Sequence, residues 1–166
     1  RPSKEPEGMV KFRNLFLEAD DLGGMPVFMC GHKTPELMRN ERLLTHKNGA
    51  NRFAGITGIA ADPMATALAL SKLFGKESIT ETGYGVEIDS GRGFIRLATD
   101  ASIGDAHPGL QTHPAAERPI WHVLTSGVDD LAATAAYLQG AGIEAEKVGD
   151  ALRVQPDDAR GLIMEF

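Results

Sequence analysis

The sequence predicts an α+β fold: paired βαβββ modules forming a curved, partly open mixed sheet around a cleft, with the helices on the outside. Three observations predict it. First, residues 55–75 (GITGIAADPMATALALSKLFG) and 122–142 (HVLTSGVDDLAATAAYLQGAG) align over 21 positions, with Asp62 on Asp129, Ala65 on Ala132, Ala69 on Ala136 and Gly75 on Gly142. Each begins with strand-type residues, passes an Asp able to cap a helix, runs through an Ala/Leu-rich helix and stops at glycine. Second, each is followed by short apolar runs broken by turn residues, and Gly93 before the last run of the first half falls on Gly161 before the last run of the second, with one residue inserted. Third, a chain of 166 residues with 42% hydrophobic content can bury one substantial core.

The elements follow in order. Residues 1–33 comprise a polar, proline-bearing start, expected to be disordered, and two strand candidates, 10–17 and 25–30, around the turn-prone ADDLGG. That pair reads as an antiparallel hairpin. A lone hairpin is marginal in water, so this one is expected to join a sheet. Residues 34–52 are a connecting segment, with Thr34-Pro35-Glu36 as a cap followed by a first-turn proline and Asn48-Gly49 as a turn. The first module spans 53–99, with strands at 78–88 and 94–98 around Ser90-Gly91-Arg92-Gly93, and Pro63 sits where a first-turn proline is tolerated. Residues 100–118 read as a linker, and His107 and His113, each followed by proline, as linker residues. The second module spans 119–166, with strands at 143–148, 151–155 and 162–166.

Composition excludes several functions. The net charge is −6 and no basic run exists to neutralise phosphates, which argues against nucleic acid. No apolar stretch approaches the roughly 20 residues needed to cross a bilayer, so no membrane role is expected. Cys30 stands alone, cannot form an internal disulfide and is expected as a buried strand residue; a cytoplasmic setting is the default. There is no GxSxG, P-loop, paired-cysteine motif or HExxH, and the Tyr84-Gly85-Val86-Glu87-Ile88 stretch lacks a nucleotide-loop context.

Two βαβββ units can pair their uncovered sheet faces into a cleft, where ligands are expected. Strand alternation puts His122 on one face with Ile120 and Leu124, and Glu165 on one with Ile163. If both point inward, they form a nitrogen-and-carboxylate pair of the kind that binds Zn, Mn, Ni or Fe. The structural alternatives are a strand histidine bonded to a carbonyl and an exposed terminal carboxylate. Arg92 and Arg96 could meet an anionic substrate, but a solvent-facing position is the expectation for both.

The pattern resembles the vicinal oxygen chelate superfamily, the glyoxalase, bleomycin-resistance and extradiol-dioxygenase group of βαβββ modules. His122 stands seven residues before Asp129, and Glu165 lies in the terminal GLIMEF, as the superfamily pattern has them. Within the superfamily, GHKTPELMRNERLLTHKNGANRFAGITGIAADP resembles the glyoxalase-like domain family. The resemblance implies that the hairpin closes a preceding module lying mostly upstream of Arg1. It implies a small organic molecule in the cleft, a 2-oxo or vicinal-oxygen compound, with His122 and Glu165 as catalytic and metal-ligating residues. Lyase or isomerase chemistry is the leading class, and ring-opening dioxygenation the second. The first-half positions that align with His122 and Glu165 are Gly55 and Leu97, neither of which binds metal, so a further ligand would come from His32, His46 or the preceding module. A metal-free binding protein of the bleomycin-resistance type stays open, as does a structural half of a longer chain. An incomplete module exposes sheet edge that a second copy could cover, so a homodimer is expected.

Overall fold

The computed structural model describes residues 8–39, 41–110 and 119–166. The expected disorder of residues 1–7 and the reading of His113 lie outside them. A hairpin comes first, β1 (Phe12–Phe16) antiparallel to β2 (Phe28–His32), with a 3-10 turn at Ala19–Leu22 between them. A single helical turn, α1 (Glu41–Leu44), leads to the first module: β3 (Ala50–Ile59), α2 (Pro63–Phe74), β4 (Ile79–Thr82), β5 (Gly85–Asp89) and β6 (Phe94–Ala98). After α3 (Ile103–Ala106) comes the second: β7 (Ile120–Val128), α4 (Leu131–Gly140), β8 (Ala145–Val148), β9 (Ala151–Val154) and β10 (Ile163–Glu165).

The two modules share one eight-stranded sheet ordered β4-β5-β6-β3-β7-β10-β9-β8. The antiparallel β3–β7 pair joins them at the centre, and each central strand is flanked by a parallel partner, β6 beside β3 and β10 beside β7. The arrangement repeats about an approximate two-fold relation through the centre.

Strand alternation sorts the two sheet faces. Val86, Ile88 and Leu97 are buried with Ala67 and Leu70 of α2, and Leu152, Val154 and Phe166 with Leu138 of α4. The residues between them, Glu87, Arg96, Arg153 and Glu165, therefore point to the other, inner face. Ile103 of α3 packs on that inner face against Ile59 and Ala98.

The helix starts bear out the cap logic and correct one residue. Asp62 accepts from the Ala65 amide at 2.9 Å, and Pro63 occupies the first turn. In the second module the cap is Asp130, which accepts from Ala133 at 2.9 Å, and not Asp129. Residue 34 also differs from its cap reading: the Thr34 hydroxyl accepts from the Lys11 amide and does not cap the 3-10 turn at Pro35–Leu37.

The hairpin does not join the large sheet. Its connection holds it instead, because Leu22 and Met25 are buried against Ala67, Leu70 and Leu97. Among the described residues no second layer covers the strands, and every residue of β1 and β2 is exposed, including Cys30, against the expectation of a buried strand residue.

Candidate functional site on the inner face of the sheet

The β3 and β7 registers define what stands at the centre. Thr57 faces Arg96 on β6 and Val123 on β7, whereas Thr125 faces Glu165 on β10 and Gly55 on β3. Thr57 and Thr125 each precede their cap, Asp62 and Asp130, by five residues. The structural counterpart of Glu165 is thus Arg96, not Leu97, and that of Gly55 is Val123, not His122. Two causes shift the alignment: the cap lies one residue later, and the β3–β7 register skips His122, since Thr57 faces Val123 but Gly58 faces Trp121. His122 therefore sits at a bulge, the irregularity that commonly re-aims a strand near sites.

Each module carries a cross-strand Arg–Glu pair at these positions, with the charges exchanged. In the first, Arg96 Nε donates to Glu87 Oε2 at 2.9 Å, across β6–β5. In the second, Arg153 donates to Glu165 Oε1 through Nε at 3.0 Å and Nη2 at 2.8 Å, across β9–β10.

The second pair is covered by the segment read as a linker. Ser102 anchors this segment: its hydroxyl donates to the Tyr84 carbonyl at 2.6 Å, and its amide and that of Ile103 donate to the Thr99 carbonyl. The turn of α3 then delivers His107, 2% exposed, over the middle of the sheet. Its Nδ1 lies 2.7 Å from Glu165 Oε2 and its Nε2 2.8 Å from the Thr57 hydroxyl, while Arg153 Nη1 donates to the Pro108 carbonyl at 3.0 Å. His107, expected to be a linker residue, is therefore a buried member of the candidate site. It bridges β3 of one module to β10 of the other.

Burial is the largest influence on the Glu165 carboxyl and pushes its pKa up. The hydrogen bond and charge of His107, then those of Arg153, together outweigh it and hold the carboxyl below its ordinary range. Glu165 is thus an ionised acceptor; Nδ1–H donates to it, and Nε2 accepts the Thr57 hydroxyl proton when the ring is neutral. The result is a hydroxyl–imidazole–carboxylate chain able to hold a proton at the centre of the sheet. Thr125 lies beside Glu165 with its hydroxyl oxygen buried and without a hydrogen-bond partner among the described residues.

The remaining expected residues lie elsewhere. His122 is buried in β7, while the carboxylate of Glu165 bonds to His107 and Arg153. His32 is exposed on β2, edge-on to Phe12, and His46 is exposed in the turn closed by Gly49. Neither His32 nor His46 joins the buried cluster. Arg96, expected to face solvent, lies half-buried on the inner face with its side chain 28% exposed.

Two helix-backed βαβββ modules joined through their first strands occur in proteins of known structure. A methylmalonyl-CoA epimerase from Mycobacterium tuberculosis superposes with a TM-score of 0.52 over 76% of this chain and 93% of its own, at 15% identity. The chain has the vicinal oxygen chelate fold. A Streptomyces coelicolor methylmalonyl-CoA epimerase with 2-nitronate-propionyl-CoA gives a TM-score of 0.47 at 18% identity, covering 70% and 95% of the two chains. A hypothetical protein from Bacillus halodurans gives 0.45 at 13%, covering 69% and 91%. No protein-family model and no curated protein matches the chain.

The resemblance read from the sequence implies a divalent metal held by His122 and Glu165. Here the donor set does not fit one. Among the described residues no three His, Cys, Asp or Glu side chains converge as ligands. Both oxygens of Glu165 are taken by N–H donors, and the Arg153 guanidinium occupies the place beside the carboxylate that a cation would need.

Proposed function

We propose that this chain is a glyoxalase-like protein that takes a small organic molecule, a 2-oxo or vicinal-oxygen compound, on the inner face of its sheet without a divalent metal at Glu165. The observation that carries this reading is the closed set Arg153–Glu165–His107–Thr57, in which a guanidinium supplies the positive charge next to the carboxylate. The fold neighbour named for methylmalonyl-CoA gives the precedent for a small-molecule role. A cytoplasmic setting, and a homodimer in which a second copy covers the exposed hairpin face, belong to the same proposal. The rival is a metal-dependent lyase, isomerase or dioxygenase on His122 and Glu165, and it requires the carboxylate to leave Arg153 and His107.

Titration calorimetry with pyruvate, 2-oxoglutarate and catechol decides between them. It is run on protein treated with EDTA, and again after addition of Zn, Mn, Ni or Fe. Binding of at least one compound, unchanged by chelator or metal, is expected. Binding that appears only with a metal, and disappears in Glu165→Gln, would overturn the proposal.

A further inference from the structure

The two cross-strand pairs differ in what covers them. In the second module each guanidinium nitrogen of Arg153 has a partner: Nε and Nη2 donate to Glu165 and Nη1 to the Pro108 carbonyl, and His107 closes the other carboxylate oxygen. In the first module Arg96 spends only Nε, on Glu87, and its terminal nitrogens have no partner among the described residues. The segment 103–110 thus covers the Arg153–Glu165 pair and packs on Ile59 and Ala98 of the first module, but leaves Arg96 partly open, at 28% side-chain exposure.

Arg96 is nevertheless held in place. Its guanidinium lies over the Phe94 ring, 3.8 Å from the centroid, and 5.9 Å from that of Tyr84. The Tyr84 hydroxyl donates to the same Glu87 oxygen at 3.1 Å, so the carboxylate that fixes Arg96 is itself fixed. Burial foremost, with Glu87 adding to it and Arg96 opposing, pushes the Tyr84 hydroxyl up, which keeps that donor protonated. Gly55 completes the support, because a Cβ at that position would collide with the Phe94 ring. The glycine that aligned with a metal-ligand position is there to let an aromatic ring lie across β3. A guanidinium oriented through Nε and backed by a ring presents its terminal N–H pair in one plane. That is the geometry for bidentate recognition of a carboxylate.

Position in the fold supports the same assignment. Arg96 is the counterpart of Glu165, the residue that receives the ring N–H of His107. Where the second module offers a carboxylate to a donor, the first offers a cation to an acceptor. We infer that Arg96 anchors the carboxylate of a small organic acid on the part of the inner face left open beside it, with Phe94 and Tyr84 flanking the acid's carbon skeleton. This deepens the metal-free reading above and rests on it.

The test compares acids with their uncharged counterparts by titration calorimetry at constant ionic strength, using 2-oxoglutarate against its dimethyl ester and benzoate against benzamide, with inorganic phosphate as an anion control. At least one acid binds and its counterpart does not. Arg96→Met weakens that acid about tenfold or more, the usual loss for a charge-assisted pair. Arg96→Lys restores part of it, and Arg13→Ala, an equal charge change on the exposed hairpin, leaves it intact. Circular dichroism shows each variant folded. Acid binding indifferent to Arg96→Met in folded protein, phosphate binding as tight as the acid, or no binding of either acid would each overturn the assignment. None of these would touch the metal-free reading, which fails if binding requires a metal or if Glu165 holds one.

Discussion

Single residues set the chemistry of the inner face, where the Arg153–Glu165 ion pair is buried under His107. Such a pair adds little net stability over apolar packing, since desolvation offsets attraction, but breaking it leaves an uncompensated charge. Glu165→Gln strands the Arg153 guanidinium, which is 2% exposed, and is expected to cost about 3–5 kcal/mol in urea denaturation. The sign with pH follows from the lowered carboxyl. Stability from Glu165 is fully present above the ordinary glutamate value of 4.5 and is lost as pH falls through the lower folded value. The parent should therefore lose stability on acidification below that value, and Glu165→Gln should show a shallower acid limb. Parallel limbs in thermal melts across this range would mean that the carboxylate is not held by His107 and Arg153.

Among the elements, the two long helices test the register of the repeat. Asp62→Ala and Asp130→Ala each remove a cap hydrogen bond and should cost about 1 kcal/mol, whereas Asp129→Ala should lie within about 0.5 kcal/mol of the parent. Equal losses at Asp129 and Asp130 would contradict the assigned start of α4. This comparison also shows how far the sequence could be read. The order strand–helix–three strands was legible because periodicity, capping residues and stop glycines are local signals, and β6 (Phe94–Ala98) falls on the predicted residues. The one-residue slip in the second module was not legible. Two adjacent aspartates can both cap, and the bulge at His122 depends on pairing with a strand far away in sequence.

At the scale of the whole molecule, the inner face joins residues that no local signal connects. His107 meets Thr57 from 50 residues away and Glu165 from 58. Composition marked the segment as linker, and its proline and glycine hid a short helix. One signal was present: Ile103 and Leu110 stand four before and three after His107, a helical spacing that puts all three on one side. Both apolar residues pack on the inner face beside Ile59 and Ala98. Glu165 itself was legible because it stands in the last strand, but its partner Arg153 was not, since cross-strand pairing needs the β9–β10 register. The fold was therefore readable from short-range pattern, while the site is a product of long-range register and of the segment between the modules.

In the proposed metal-free site the Arg153 guanidinium and the His107 imidazole, not a divalent ion, satisfy the Glu165 carboxylate. The most direct test is metal content by plasma mass spectrometry on protein purified without chelators or a His tag, before and after incubation with Zn, Mn, Ni and Fe, alongside a His122→Ala, Glu165→Ala double variant. The account predicts substoichiometric metal that is the same in parent and variant. Near-stoichiometric metal in the parent that vanishes in the double variant would contradict it.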